Sequence, residues 1–440
     1  MRQQAIKWLY DELPRLVAQQ VLTPEAAARL RAHYGPAEPA RPARLAMVIF
    51  GILGALLIGA GIILVLAHNW NEISRPARAG LAFLPLIAAQ GLAAWVMRRR
   101  PRSLAWREGA GALLFLMIGA SIALVAQTYN ISGDLPRFLL TWSLLGLPLA
   151  YLLNALVPGL LYLWGVTAWA GYIRGADGGA GGYWLLAALL MPLLAAWLRK
   201  DRYATRPTVL LWAFCVSITI AGGVTIARVL PGLWIILYAG LFALMFLAGE
   251  FWFNAAGGFW ARPLRHFGAA GILILSFLLT FEWPWHAIGW HHWHWERLQA
   301  SPWRALPDAV LGGLLPVAAL FLLVTTPRRK TPFGLLIGLA PIMAAGSYCL
   351  RVLSGAYAPA AGIFNLYLLT IGFWLLAAGI RRNQQGRMNA GLVTVAALII
   401  ARFFDSDLGF LLRGLIFIGL GIALLVANLI MLRRKGAPHA

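Results

Sequence analysis

Four charged residues near the end of the chain, Arg402, Asp405, Asp407 and Arg413, lie inside a strongly apolar context. An isolated charge there is costly, so pairing is the expected outcome. Arg402 and Asp405 are three residues apart, a spacing that puts both on one helix face. The pattern predicts an Arg–carboxylate clasp fixing a turn between two helices. The same groups could serve as an ion-pair gate or a head-group site. A two-carboxylate hydrolytic centre is a weaker reading, because Asp405 and Asp407 share one turn and no facing group is supplied in sequence.

A second set combines Asn69 and Trp70 with Gln127, Asn130, Asp134 and Arg137. Parallel helices leaving the membrane at the same depth would gather these groups into one hydrogen-bonded cluster. A third is the stretch Glu282–Arg304, which holds His286, His291, His292 and His294, half of the chain's 8 histidines, among closely spaced tryptophans. Imidazoles at these spacings could hold zinc or copper, with Glu282 or Glu296 completing the site. Without an HExxH frame to orient them, the expectation is no metal, and a tryptophan-rich loop lying at head-group depth.

The elements that must position these residues follow from composition. The chain is 61% apolar and 12% charged, about half the charge fraction of soluble domains. Apolar runs of helical length recur from residue 45 to residue 432, which predicts an all-α, polytopic membrane protein of about fourteen spans. The expected spans are 45–67, 77–97, 109–128, 138–156, 157–173, 183–198, 208–227, 231–250, 264–281, 305–325, 333–351, 360–380, 388–404 and 409–432. The pair 138–156 and 157–173 is separated by only Val157, Pro158 and Gly159. Pro85, Pro148, Pro192, Pro316 and Pro341 fall within spans and predict kinks. Cys215 and Cys349 both sit in apolar runs, which argues against a disulfide framework.

Residues 1–44 read as a cytoplasmic helical hairpin without a cleavable signal. Its second helix opens at Thr23-Pro24-Glu25, a cap, a first-turn proline and a dipole-matching acid. Residues 45–432 form the bundle and 433–440 a basic cytoplasmic tail. Most of the 37 Lys and Arg fall in segments that this threading puts inside, so both termini are expected in the cytoplasm. The net charge of +22 then reflects topology and attraction to anionic lipid on the cytoplasmic side, with no nucleic-acid partner expected.

Gly59–Trp70 followed by Ile73-Ser74-Arg75, and Gly119–Ile122 through Gln127–Asp134, resemble the two signature blocks of a bacterial membrane-protein family, domain of unknown function 2157. Leu22-Thr23-Pro24-Glu25, Leu30 and Tyr34 are similar to the family's cytoplasmic start. His68 departs from it, since members usually carry a small residue there. The end of the chain, from Asn389 through Arg402–Asp405 to Gly414, resembles the tail of longer members. The resemblance implies a bacterial inner-membrane location and supplies no activity, cofactor or catalytic residue. The leading expectation is a non-enzymatic carrier or flippase-like permease for an amphiphilic envelope substrate, with no cofactor. The alternatives are a membrane enzyme acting on lipid or glycan at the outer leaflet, centred on Asp134, Arg137, Asp405 and Asp407, and an envelope-assembly scaffold.

Overall fold

Hydrocarbon offers the backbone no hydrogen-bond partner, so a chain of this composition satisfies its amides and carbonyls within helices. The computed structural model describes residues 2–34, 74–175, 180–226, 232–253, 258–286, 288, 306–325, 331–405, 418 and 421–422. Among the described residues there is no strand.

The first of two compact units, residues 1–78, contains the hairpin. Helix α1 (Arg2–Ala18) and α2 (Pro24–Tyr34) pack together. The Thr23 hydroxyl accepts from the Ala26 amide at 3.2 Å, the cap expected from sequence, and the Tyr10 hydroxyl donates to the Arg31 carbonyl at 3.2 Å. Leu13 and Ala27 are buried.

The second unit, residues 79–440, is a helical bundle. Its elements are α3 (Arg75–Arg99, entering from the first unit), α4 (Leu104–Thr128), α5 (Leu135–Leu152), α6 (Leu156–Gly175), α7 (Gly182–Ala188), α8 (Met191–Lys200) and α9 (Thr205–Thr225). They continue with α10 (Leu233–Trp252), α11 (Pro263–Leu278), α12 (Trp283–His286), α13 (Leu306–Thr325), α14 (Pro332–Gly338), α15 (Ala340–Ser354), α16 (Ala358–Arg381) and α17 (Gln385–Asp405). Among the described residues, 9 helical segments are long and apolar enough to cross a membrane, counting α7–α8 and α14–α15 as one each. The expected spans from 77–97 to 388–404 all coincide with helices, whereas 45–67 and 409–432 lie outside the described residues. The protein is thus an all-α, multi-pass membrane protein.

Buried apolar residues divide into two cores. One joins α3–α9 through Phe115, Tyr162, Leu163 and Tyr183, and the other joins α10–α17 through Phe246, Ile272, Trp285 and Phe364. Helix α9 feeds both, with Phe214 in the first and Cys215 in the second. Close backbone approach holds the tightest pairs. A Cβ on Gly391 of α17 would sit 2.6 Å from the Leu376 amide nitrogen of α16, so only a glycine lets these helices meet.

Polar contacts sort the helix ends into two faces. On one face, Glu108 at the start of α4 meets the α5–α6 turn and Arg206 of α9, and Arg202 donates to the Trp252 carbonyl at the end of α10. Glu250 and Arg265 add the start of α11. Arg98–Arg100, Arg199 and Lys200 lie at the helix ends of this basic face. The opposite face carries Asp134, Arg174, the end of α11, and Arg351 and Arg402.

Candidate functional site

The described part of the second expected cluster is a local turn. Asn130 adopts a left-handed conformation, φ +49°, just beyond α4. Asp134 caps α5, its carboxylate accepting from the Arg137 amide at 2.7 Å and lying 3.4 Å from the Arg137 guanidinium. Gln127, Asn130, Asp134 and Arg137 are all exposed. Asn69 and Trp70 lie outside the described residues.

Of the expected clasp, Arg402 is described. Its guanidinium donates to the Thr280 carbonyl at 2.9 Å and lies over the Phe281 ring at 5.0 Å. The side chain of Asp405, and Asp407 and Arg413, lie outside the described residues. His286 is exposed, with its ring 4.8 Å from that of Tyr357, whereas His291, His292 and His294 fall outside the described residues. Among the described residues no group of 3 or more His, Cys, Asp or Glu could hold a metal.

One expectation is corrected. Trp283 is 59% exposed, as an interfacial residue would be, but Trp285 is 0% exposed and belongs to the core. The reason is the path of the chain after α11. It bends at Leu279–Thr280, and the short α12 folds Trp285 inward, where its indole donates to the Leu279 carbonyl at 3.0 Å. Three neighbouring helices then hold the carbonyls of this plug. Arg351 of α15, 9% exposed, donates to Trp285 at 3.0 Å and to Gly355 at 2.8 Å. Asn365 of α16 donates to Thr280 at 3.2 Å, and Arg402 of α17 shares that acceptor. Arg402 was visible in sequence as a charge in an apolar context, but its partner 122 residues away was not, nor was the contact of Arg351 with Trp285, 66 residues away.

Deeper in the bundle, two spans are broken. Helix α7 ends at Ala188, Leu189 and Leu190 form a turn, and α8 resumes with Pro192 in its first turn. Helix α14 ends at Gly338 and α15 restarts at Ala340, with Pro341 in its first turn. Pro85, Pro148 and Pro316, by contrast, sit inside continuous helices. Tyrosines from neighbouring helices cover carbonyls at the breaks. The Tyr162 hydroxyl of α6 donates to Leu186 at 2.8 Å, and Tyr151 of α5 donates to Leu189. Tyr367 of α16 donates to Leu336 at 2.6 Å. Beside the first break, Ser217 of α9 bonds both Thr167 of α6, at 2.6 Å, and Tyr183 of α7, all three buried.

The basic face carries a latch that the sequence reading missed. The α5–α6 turn, Leu153–Ala155, has Asn154 at φ +45°. Arg107 donates to the Leu153 and Asn154 carbonyls, each at 2.5 Å. Its neighbour Glu108 accepts from the Leu156 and Val157 amides at 2.8 and 2.7 Å. The guanidinium thus neutralises the carbonyl end of α5 while the carboxylate caps the amide end of α6. The indole of Trp197 donates to the Asn154 side chain at 2.5 Å. The only signal in sequence was an Arg-Glu pair at the mouth of a span.

Residues 14–159 match the model of a family described as a predicted membrane protein, DUF2157. The match contains both signature blocks and the cytoplasmic start, and the resembling tail from Asn389 lies beyond it. No curated protein and no solved structure matches the chain.

Proposed function

We propose that this multi-pass membrane protein is a carrier or flippase-like permease for an amphiphilic envelope substrate. Its basic face sits on the cytoplasmic side of a bacterial inner membrane, where positive charge is retained. The observation that carries this reading is the pair of broken spans, one in each core. A continuous helix holds its own carbonyls, but each break hands carbonyls to tyrosine hydroxyls on other helices. Such bonds can exchange without unwinding a helix, and discontinuous spans are where transporters build their sites. The second break also leads directly into α15, whose Arg351 holds the plug at the opposite face. A hinge at Leu339 would therefore move the guanidinium that keeps the plug seated.

The outer-leaflet enzyme reading finds less support, because Asp134 uses its carboxylate to cap α5. The test is reconstitution of the full chain into liposomes carrying fluorescent phosphatidylglycerol or a fluorescent polyprenyl diphosphate in both leaflets. Addition of dithionite bleaches the outer leaflet. Continued bleaching faster than in protein-free liposomes is expected for one probe, slowed by Tyr162→Phe with Tyr367→Phe. Bleaching that matches protein-free liposomes for both probes would overturn the reading.

A further inference from the structure

Two short segments meet on the face opposite the basic one, and a single side chain holds both. Arg351, in the last turn of α15, donates from Nε to the Trp285 carbonyl of α12 at 3.0 Å and from Nη1 to the Gly355 carbonyl at 2.8 Å. Gly355, at φ +71°, turns the chain out of α15 toward α16. One residue past the first carbonyl stands His286, and two past the second stands Tyr357. Their rings touch, with centroids 4.8 Å apart. The guanidinium thus forms the base of a corner whose two walls end in an imidazole and a phenol.

Each of the three groups has unused hydrogen-bonding capacity. Among the described residues, Nη2 of Arg351, the His286 imidazole and the Tyr357 hydroxyl make no hydrogen bond. His286 is exposed and Tyr357 is 40% exposed, so the corner opens outward. The charge at its base is also uncompensated. Arg351 is 9% exposed, yet its acceptors are neutral carbonyls and no carboxylate among the described residues pairs with it. Glu282, the acid nearest α12 in sequence, is exposed and forms no ion pair among the described residues. A guanidinium taken this far out of water without a counter-charge is costly, and an anion brought to it recovers part of that cost.

We propose that Arg351, His286 and Tyr357 bind a phosphate group at this corner. Three donors on three separate elements suit a tetrahedral oxyanion, which offers an oxygen to each, whereas a planar carboxylate has two. Nη2 of Arg351 supplies the charge-assisted bond, and the imidazole and phenol donate from the rim. Trp283 and Leu353, 59% and 80% exposed, stand on the same two elements and give an acyl chain an apolar surface, so the phosphate can be a lipid head group or a free ion. Binding needs no movement of either broken span, and the site stands or falls apart from the transport reading.

The test is native mass spectrometry of the full chain, purified in neutral detergent and titrated with phosphatidic acid or phosphatidylcholine, alongside calorimetric titration with sodium phosphate. Tyr357→Phe and His286→Phe keep the ring contact and remove only the polar atoms, and melting temperatures confirm that both variants fold. Phosphate-group binding is expected in the parent chain, weaker by about fivefold in each variant, the factor for one hydrogen bond. Arg137→Gln, which removes a charge from the same face, should leave it unchanged. Phosphatidic acid retained over phosphatidylcholine and not displaced by sodium phosphate at matched ionic strength assigns the site to a lipid head group. Displacement, or calorimetric binding of phosphate without lipid preference, assigns it to the free ion. Binding of neither probe, unchanged affinity in the two folded rim variants, or an equal loss in Arg137→Gln would overturn the proposal.

Discussion

Replacing Glu108 by alanine tests whether the latch on the basic face holds α5 against α6. The carboxylate accepts two backbone amides at 2.8 and 2.7 Å and lies 3.8 Å from the Arg206 guanidinium, with its side chain 18% exposed. Each amide left without a partner in a partly dry site costs about 1–3 kcal/mol, discounted here because water reaches the turn. The loose contact with Arg206 contributes at most about 1 kcal/mol at this exposure. The two amides therefore dominate, and Glu108→Ala should destabilise the fold by about 2–4 kcal/mol. Glu108→Gln keeps one acceptor oxygen, loses the charge and should cost about half as much. The measurement is reversible unfolding of the purified protein in mixed micelles, followed by circular dichroism. An alanine variant within about 0.5 kcal/mol of the parent, the range of an ordinary surface change, would refute the capping role. Equal losses for Ala and Gln would refute the two-amide accounting and leave charge as the dominant contribution.

Gly391→Ala should destabilise by about 1–3 kcal/mol in the same assay, because its Cβ would meet the Leu376 amide at 2.6 Å and force α16 from α17. Ser217→Ala removes a group bonded to both Thr167 and Tyr183 and should cost about 1–2 kcal/mol, while the double change with Thr167→Val should cost less than the sum of the single ones. Arg351→Gln should unseat the plug. Hydrogen exchange at Trp285 and Ile288 should then quicken while exchange in α4–α6 is unchanged, and uniform quickening would instead indicate global destabilisation.

The membrane class and the helix positions were legible because both rest on run length and on the bilayer's demand for internal hydrogen bonding. Even the weakest boundary, 156–157, fell within a few residues of the observed turn. What keeps that turn tight was not legible, because Arg107 and Glu108 act on backbone groups more than 40 residues away. The prolines show the same limit. Pro192 and Pro341 follow breaks while Pro85, Pro148 and Pro316 are absorbed, and what distinguishes the breaks is tyrosines on other helices. Trp285 was grouped with its neighbours by composition. Its burial depends on acceptors and donors that only the fold brings together.

A single rule links the latch, the plug and the two breaks. Each is a place where the backbone leaves the helix and its carbonyls or amides need partners from side chains on other helices. The partners differ in strength. At the latch they are a guanidinium and a carboxylate, whose charge-assisted bonds resist exchange. At the breaks they are neutral hydroxyls, which give up a bond at about half that cost. The plug is intermediate, held by two guanidinium groups and an amide through carbonyls alone. Rearrangement should therefore begin at Leu189 and Leu339, pass along α15 to the plug, and leave the α5–α6 turn in place. This order follows from bond strength and connectivity together, and it places the moving parts in the two broken spans.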